Sequence, residues 1–261
     1  MANIVSEFYH DVQFPGHYTQ NEVLEKSDDF FLSEFMDLDF LPYQGKILEA
    51  GCGTGYTTHV LANTRRDVKI EGVDFSKGSL EFAKKFSEEN NYKNVNFGWM
   101  DLRDIKFEKN SFDLVMCSGV LHHIKDNPKE IFQNLCKVVK KGGTIIIGLY
   151  HPWGRTSVHF RQKFFKLSGG KFRKIDPRIL KEDWTEHRKL VWYRDQYEHP
   201  YEIDYAHKKL LKWFKEENFE LCGSIPKYDG NDFSYNFYML TKTGSQGGLF
   251  IFVGKKGGKN E

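Results

Sequence analysis

The sequence has only four cysteines, Cys52, Cys117, Cys136 and Cys222, and no two of them form a C-x-x-C pair. That spacing suggests neither a zinc knuckle nor a disulfide framework, no metal-ligand set is expected, and a reduced, cytoplasmic setting is the default. Long apolar runs are missing too. The longest are strand-sized, such as Thr144 to Leu149, so no membrane span is expected. The N-terminus, Met1-Ala2-Asn3-Ile4-Val5-Ser6-Glu7, lacks the basic and apolar regions of a secretory signal. Charge of one sign is scarce as well: Lys+Arg 38 against Asp+Glu 36 gives a formal net charge of +2. This excludes the strongly basic footprint of a dedicated nucleic-acid binder, though not a local basic patch.

What is present fits one large α/β domain with an elaborated flank, since 261 residues would leave two independent cores cramped. Residues 1–44 read as an N-terminal lid, with the aromatic run Phe8-Tyr9-His10, the turn Phe14-Pro15-Gly16-His17-Tyr18, and an amphipathic helix predicted over Asp28 to Leu41. From residue 45 short β-rich runs alternate with helical segments. Strands are predicted at Lys46 to Ala50, Val68 to Val73, Val95 to Trp99, Phe112 to Cys117 and Thr144 to Leu149. Helices are predicted at Thr57 to Asn63, Lys77 to Asn90 and Pro128 to Val139, with Lys141-Gly142-Gly143 as a turn. Such alternation implies a doubly wound parallel sheet. Residues 150–203 break the rhythm and read as an irregular capping insertion rich in aromatics. A helix at Tyr205 to Asn218 and strands near Phe219 to Ser224 and at Leu249 to Gly254 complete a domain over 45–254, followed by a charged, glycine-rich tail at 255–261 that is expected to fray.

The first strand runs into Glu49-Ala50-Gly51-Cys52-Gly53-Thr54-Gly55. Glycines there allow a sharp bend and close backbone approach to a ligand, and the next helix N-terminus can receive an anion. A dinucleotide fingerprint requires G-x-G-x-x-G, but here Gly51, Gly53 and Gly55 are followed by Tyr56, which disfavours an NAD-dependent dehydrogenase. Asp74 ends the second strand about 20 residues on, where a carboxylate can accept ribose hydroxyls, and Phe75 could lie against an adenine. Asp101 follows the third strand and could accept the adenine amine. Each acid alone could be a strand-end cap; together, at consecutive strand ends, they argue for a ligand.

With those residues in view, Ile47 to Gly55 resembles motif I of the class I, Rossmann-like S-adenosylmethionine-dependent methyltransferases. Gly72-Val73-Asp74-Phe75-Ser76 resembles their second motif, and Phe112 to Cys117 with Val120-Leu121-His122-His123-Ile124 resembles their fourth-strand region. Lys140-Lys141-Gly142-Gly143 is similar to the turn before their fifth strand. The resemblance covers roughly Lys46 to Leu149. It implies an α/β, mostly parallel seven-stranded sheet with the last strand antiparallel, and S-adenosyl-L-methionine as cofactor. It also implies Glu49 on the methionine amine, the backbone of Gly51, Cys52, Gly53 and Gly55 around the methionine part, and Asp74 with Phe75 at the ribose and adenine. Asp101, Leu102 and Ser118 would complete the site. Tyr9, Phe14 and Tyr18 are candidate covering residues, or ordinary lid packing.

A sulfonium methyl is already electrophilic, so the protein mainly has to align a nucleophile and exclude water. His122, His123 and His151 are candidate bases, with local packing as the alternative. Tyr150, Arg155, Asp195, Gln196 and His199 offer a mixture of rings and polar groups suited to substrate recognition, or a structural knot. Arg155, Arg161, Lys163, Lys166, Lys171, Arg173 and Lys174 form an acid-free basic run in which Phe160, Phe164 and Leu167 share a helical face. It reads as a lid helix with a solvated side, or as a site attracting an anionic substrate, a lipid surface or RNA. The expected reaction is methyl transfer to a small molecule, with RNA (tRNA) or protein as alternative acceptors and a non-catalytic cofactor-binding regulator behind them. DNA is not expected. Cys117-Ser118-Gly119-Val120 departs from the Asn/Asp-Pro-Pro-aromatic motif of amino-directed DNA enzymes, and no Pro-Cys pair marks a pyrimidine C5 nucleophile.

Overall fold

The structure is a computed structural model, and it describes residues 8–9, 12–25, 42, 44–170, 176–177, 179–180, 184–242 and 247–258. The helix predicted at Asp28 to Leu41, and Lys171, Arg173 and Lys174 of the basic run, lie outside those residues.

Seven strands form one sheet: β1 (Gly45–Ala50), β2 (Val68–Asp74), β3 (Val95–Trp99), β4 (Phe112–Ser118), β5 (Val139–Tyr150), β6 (Phe219–Ile225) and β7 (Leu249–Lys256). Their spatial order is β3-β2-β1-β4-β5-β7-β6. The first five run parallel, and β7 lies antiparallel between β5 and β6. This is the doubly wound, mostly parallel sheet with one reversed strand implied by the class I resemblance.

Alternation along the strands gives the sheet two dry faces. Leu48, Ala50, Val115, Cys117, Ile145 and Ile147 belong to one apolar cluster, whereas Ile47, Leu114, Met116, Ile146, Ile251 and Val253 belong to the other. Helices α2 (Tyr56–Thr64) and α3 (Lys77–Glu89) follow β1 and β2. The α3 N-terminus is capped by the Ser76 hydroxyl, which accepts from the Ser79 N–H. Helix α4 (Pro128–Val138) buries Ile131, Phe132, Leu135, Cys136 and Val138, the spacing of a helix with one wet side. Ahead of the sheet, α1 (Gln20–Glu25) packs on α2.

Four expectations change. Lys141-Gly142-Gly143 is not a separate turn but part of a longer β5, whose register against β4 shifts between Phe112 and Leu114; Gly142, with φ 69°, absorbs the irregularity. The stretch read as irregular folds into α5 (Pro152–Leu167) and α6 (Glu186–Tyr193), with a wide π turn over Arg194–Glu198. Helix α5 is the lid helix that Phe160, Phe164 and Leu167 announce, but it buries only Gly154, Arg155 and Val158. After α7 (His207–Glu216) and β6 comes an unpredicted helix, α8 (Asp232–Lys242), which buries Tyr235 and Met239. Finally, β7 continues through Lys255 and Lys256 into the segment expected to fray. Lys255 pairs with Thr144 and Glu220, and the Lys256 ammonium donates to the carbonyls of Cys136 (2.7 Å) and Val139 (2.6 Å).

Candidate functional site

At the carboxyl edge of the parallel strands lies a cavity of about 400 Å³. Glu49, Gly51, Cys52 and Gly53 line it from the end of β1 and its turn. Asp74 and Phe75 follow from β2, Asp101 and Leu102 from the β3 exit, Ser118 from β4, and His123 from the short 3-10 turn after β4. The crevice outside the strand ends is where an open α/β sheet places a ligand.

The glycine turn is left-handed at each glycine, with φ 81° at Gly51, 53° at Gly53 and 79° at Gly55. What denies each a side chain is protein. A Cβ on Gly51 would sit 2.3 Å from Val120 Cγ2, one on Gly53 2.3 Å from the Phe14 carbonyl oxygen, and one on Gly55 2.7 Å from Phe97 Cζ. The Phe14 carbonyl also accepts from the Thr54 N–H (3.1 Å), while the Thr54 hydroxyl donates to the Gly16 carbonyl (3.1 Å). The N-terminal segment is thereby buttoned onto the turn, and Tyr9, Phe14 and Pro15 line the cavity from that side.

Two carboxylates set its electrostatics. Burial pushes the Glu49 carboxyl up to about 7, opposed by hydrogen bonding from the Thr58 hydroxyl and reinforced by nearby Asp74. Asp74 is also raised by burial, against the pull of backbone donors: the Ser76 N–H reaches one oxygen (2.7 Å) and the Gly53 N–H the other (2.8 Å). Asp101 is lowered by its hydrogen bonding to Arg103, which caps both carboxylate oxygens. Phe75 lies near Trp99, ring centroids 5.4 Å apart, and its carbonyl accepts from the Trp99 indole N–H.

The remaining expected residues are placed elsewhere. Tyr18 lies behind the turn, donating to the Thr54 carbonyl and meeting His59 Nδ1, each at 2.7 Å. Gly55 opens α2 against Phe97. His151 is fully buried and meets His207 Nδ1 at 3.2 Å. His122 is fully buried, stacked on Tyr150 with centroids 3.9 Å apart, and neither ring nitrogen has a hydrogen-bond partner. Tyr150, Arg155, Asp195, Gln196 and His199 form a polar layer that does not line the cavity. Arg155 is 0% exposed, lies over the Tyr150 ring at 4.1 Å, and gives its donors to Glu202, Gln196 and the Gly247 carbonyl. A buried guanidinium so engaged has little left for a substrate. Gln196 donates onward to Tyr150 and Asp195, and Asp195 accepts from the Tyr9 hydroxyl at 2.9 Å.

His123 joins this layer to the cavity. Its ring lies 3.8 Å from that of His199, and its Nδ1 is 3.2 Å from the Tyr201 carbonyl. A carbonyl only accepts, so Nδ1 carries the proton and Nε2 the lone pair. Burial pulls both His123 and His199 down to about 3, which keeps both rings neutral at physiological pH. Val120, Ile124, Arg103, Pro200 and Tyr201 also line the cavity and were not predicted. Val120 and Ile124 belong to the stretch that resembles the family's fourth-strand region, and Pro200 and Tyr201 to the capping insertion, so their neighbourhood was legible although the individual residues were not. His159, Glu202 and Asp204 bring one donor each within 4.8 Å of one another, but Asp204 already bonds His159 and Glu202 holds Arg155.

The family described as "Methyltransferase domain" matches residues 43–217. The chain belongs to the class I S-adenosylmethionine-dependent methyltransferases. Among curated relatives of the chain, an uncharacterised protein of Synechococcus sp. is 28% identical over 200 residues, covering 68% of the chain and 48% of that protein. The ubiquinone biosynthesis O-methyltransferase of Coxiella burnetii is 28% identical over 99 residues, covering 38% of the chain and 41% of that protein. The match thus spans about half the length of these relatives or less. Among solved structures, a SAM-dependent methyltransferase from Methanosarcina mazei is similar with a TM-score of 0.57 at 15% identity, covering 85% of the chain and 97% of that structure. At that identity the likeness speaks for the fold alone. No helix among the described residues is long and apolar enough to cross a membrane.

Proposed function

We infer that the protein transfers the methyl group of S-adenosylmethionine to a small-molecule acceptor bound against Tyr9, His123 and Tyr201. The observation that carries this reading is that one cavity collects the glycine turn, Glu49, Asp74 and Asp101 together with His123, Pro200 and Tyr201. The donor set suits the cofactor: Glu49 for the methionine ammonium, Asp74 for the vicinal ribose hydroxyls, and Asp101 and Leu102 beside the adenine. When bound, the cofactor supplies a sulfonium methyl electrophilic enough to need little activation. The work of the chain is then to orient and to dry. Phe14 and Pro15 cover the turn, and Val120 and Ile124 give the wall an apolar surface.

For an acceptor that arrives protonated, His123 offers the Nε2 lone pair. A ring pulled down to about 3 is a weak base, so it does not strip the proton beforehand: Nε2 holds the acceptor's hydrogen, takes that proton as the acceptor–methyl bond forms and the sulfonium–methyl bond breaks, and passes it to solvent. Support for a small acceptor comes from the covered cavity and from the name of the Coxiella burnetii relative, an O-methyltransferase of ubiquinone biosynthesis. The test is incubation of the protein with methyl-labelled cofactor and fractionated cell extract. Label in small metabolites supports the reading; label confined to RNA or polypeptide contradicts it.

A further inference from the structure

Thirteen large apolar side chains are exposed among the described residues, and eight of them fall on two helices. Trp153, Phe160, Phe164 and Leu167 stand on α5; Phe233, Phe237, Tyr238 and Leu240 stand on α8. Scattered singly they would need no explanation, but concentration on two elements makes a patch. On α5 the spacing of the four puts them on one stripe, opposite the buried Arg155 and Val158. On α8, Phe233, Phe237 and Leu240 likewise form a stripe on the far side from Tyr235 and Met239. Leu167 is 85% exposed and Phe233 81%, and the other six are between 39% and 61% exposed. The two helices pack against each other.

The charge beside this face has one sign. Helix α5 contains no acid; Lys163 is exposed on the flank of its stripe, and Lys166 is exposed in its last turn. Arg155 and Arg161 are engaged internally, with Glu202 and with the Tyr197 hydroxyl. The acid on α8, Asp232, is held by His207, Lys208 and Tyr228. Lys242 ends α8 exposed, and the sequence beyond α5 stays acid-free through Lys174. Apolar rings and leucines beside unpaired-sign lysines are the composition of a helix that lies in a bilayer interface.

The face also sits at a telling edge. Helix α5 starts directly after β5 ends at Tyr150, and α8 connects the end of β6 to the start of β7, where Tyr150 pairs with Leu249 and Ile225 with Ile251. This is the carboxyl edge of the parallel strands, where the cavity opens.

We propose that the α5–α8 face docks the protein on an anionic lipid bilayer, with the apolar stripes entering the headgroup boundary and Lys163 and Lys166 meeting lipid phosphates. A second copy is a poorer occupant, because a twofold contact through these stripes would bring the same lysines together.

The test is cosedimentation of the full chain with vesicles of phosphatidylcholine alone and of phosphatidylcholine mixed with phosphatidylglycerol. Binding to the mixed vesicles is expected, weakened by salt. The K163E/K166E variant should partition at least about tenfold more weakly, since each lysine near an anionic surface contributes on the order of 1 kcal/mol. The F160S/F164S variant should lose binding while keeping the wild-type circular dichroism and cofactor affinity. Absence of binding to mixed vesicles overturns the proposal. So does equal binding by both variants, or a dimer in light scattering that F160S/F164S converts to monomer.

Discussion

The carboxylate of Asp74 accepts a hydrogen bond from the backbone N–H of Gly53 at 2.8 Å, tying the end of β2 to the bend after β1. One acid therefore fixes the glycine turn and also faces the cavity, where we propose that it receives the ribose.

Asp74→Ala is expected to weaken binding of S-adenosylhomocysteine by about 1.5–3 kcal/mol, the range for hydrogen bonds to a charged group. Calorimetric titration measures this directly. Affinity equal to wild type would remove Asp74 from the ribose site.

Gly53→Ala tests the buttoned N-terminal segment. The new Cβ meets the Phe14 carbonyl at 2.3 Å, so the segment has to lift. Limited proteolysis should cut before Thr19 faster than in wild type, and cofactor affinity should fall, with circular dichroism nearly unchanged. A variant as protected as wild type would show that this contact holds nothing down.

Glu49 predicts a pH dependence. Its carboxyl in the unliganded protein is raised to about 7, so below that value it is protonated and a poor partner for an ammonium. Affinity should rise as the pH is brought up through about 7, and binding at about pH 6 should release a proton. Calorimetry in two buffers of different ionisation enthalpy detects that release, and Glu49→Gln should abolish it. Proton uptake on binding would contradict the placement of the ammonium.

His122 is buried, pulled down by burial, and has no partner on either ring nitrogen. Its folded value lies below the unfolded one, so the stability it permits is complete above about pH 6.5 and declines as the pH falls below it. His122→Phe should raise stability by about 1–2 kcal/mol, flatten the acid side of a melting-temperature profile, and leave turnover intact. Lost turnover in a folded variant would restore His122 as a reacting group.

The sheet was legible because its signals are local. Short, nearly continuous apolar runs such as Ile47 to Ala50 and Ile145 to Leu149, bounded by glycine, announce strands buried on both faces. The candidate cavity was legible to the same extent, since Glu49, Asp74, Asp101 and Ser118 all lie at or just beyond strand ends and the topology brings strand ends together. Arg155, Asp195 and Gln196 were misplaced for the opposite reason. A polar residue reads alike whether it faces a ligand or a buried partner, and Glu202, the partner of Arg155, is joined to it only by the fold. The helical rhythm of α5 was legible in Phe160, Phe164 and Leu167, but not which side it buries, because its apolar stripe faces outward and the buried side carries Arg155.

The most direct measurement is a crystal structure of the protein grown with S-adenosylhomocysteine. The account predicts electron density along the glycine turn, with the amine at Glu49, the ribose hydroxyls at Asp74 and the adenine beside Leu102. Density at any other place on the chain, or a ligand in this cavity that leaves Glu49 and Asp74 untouched, would contradict it.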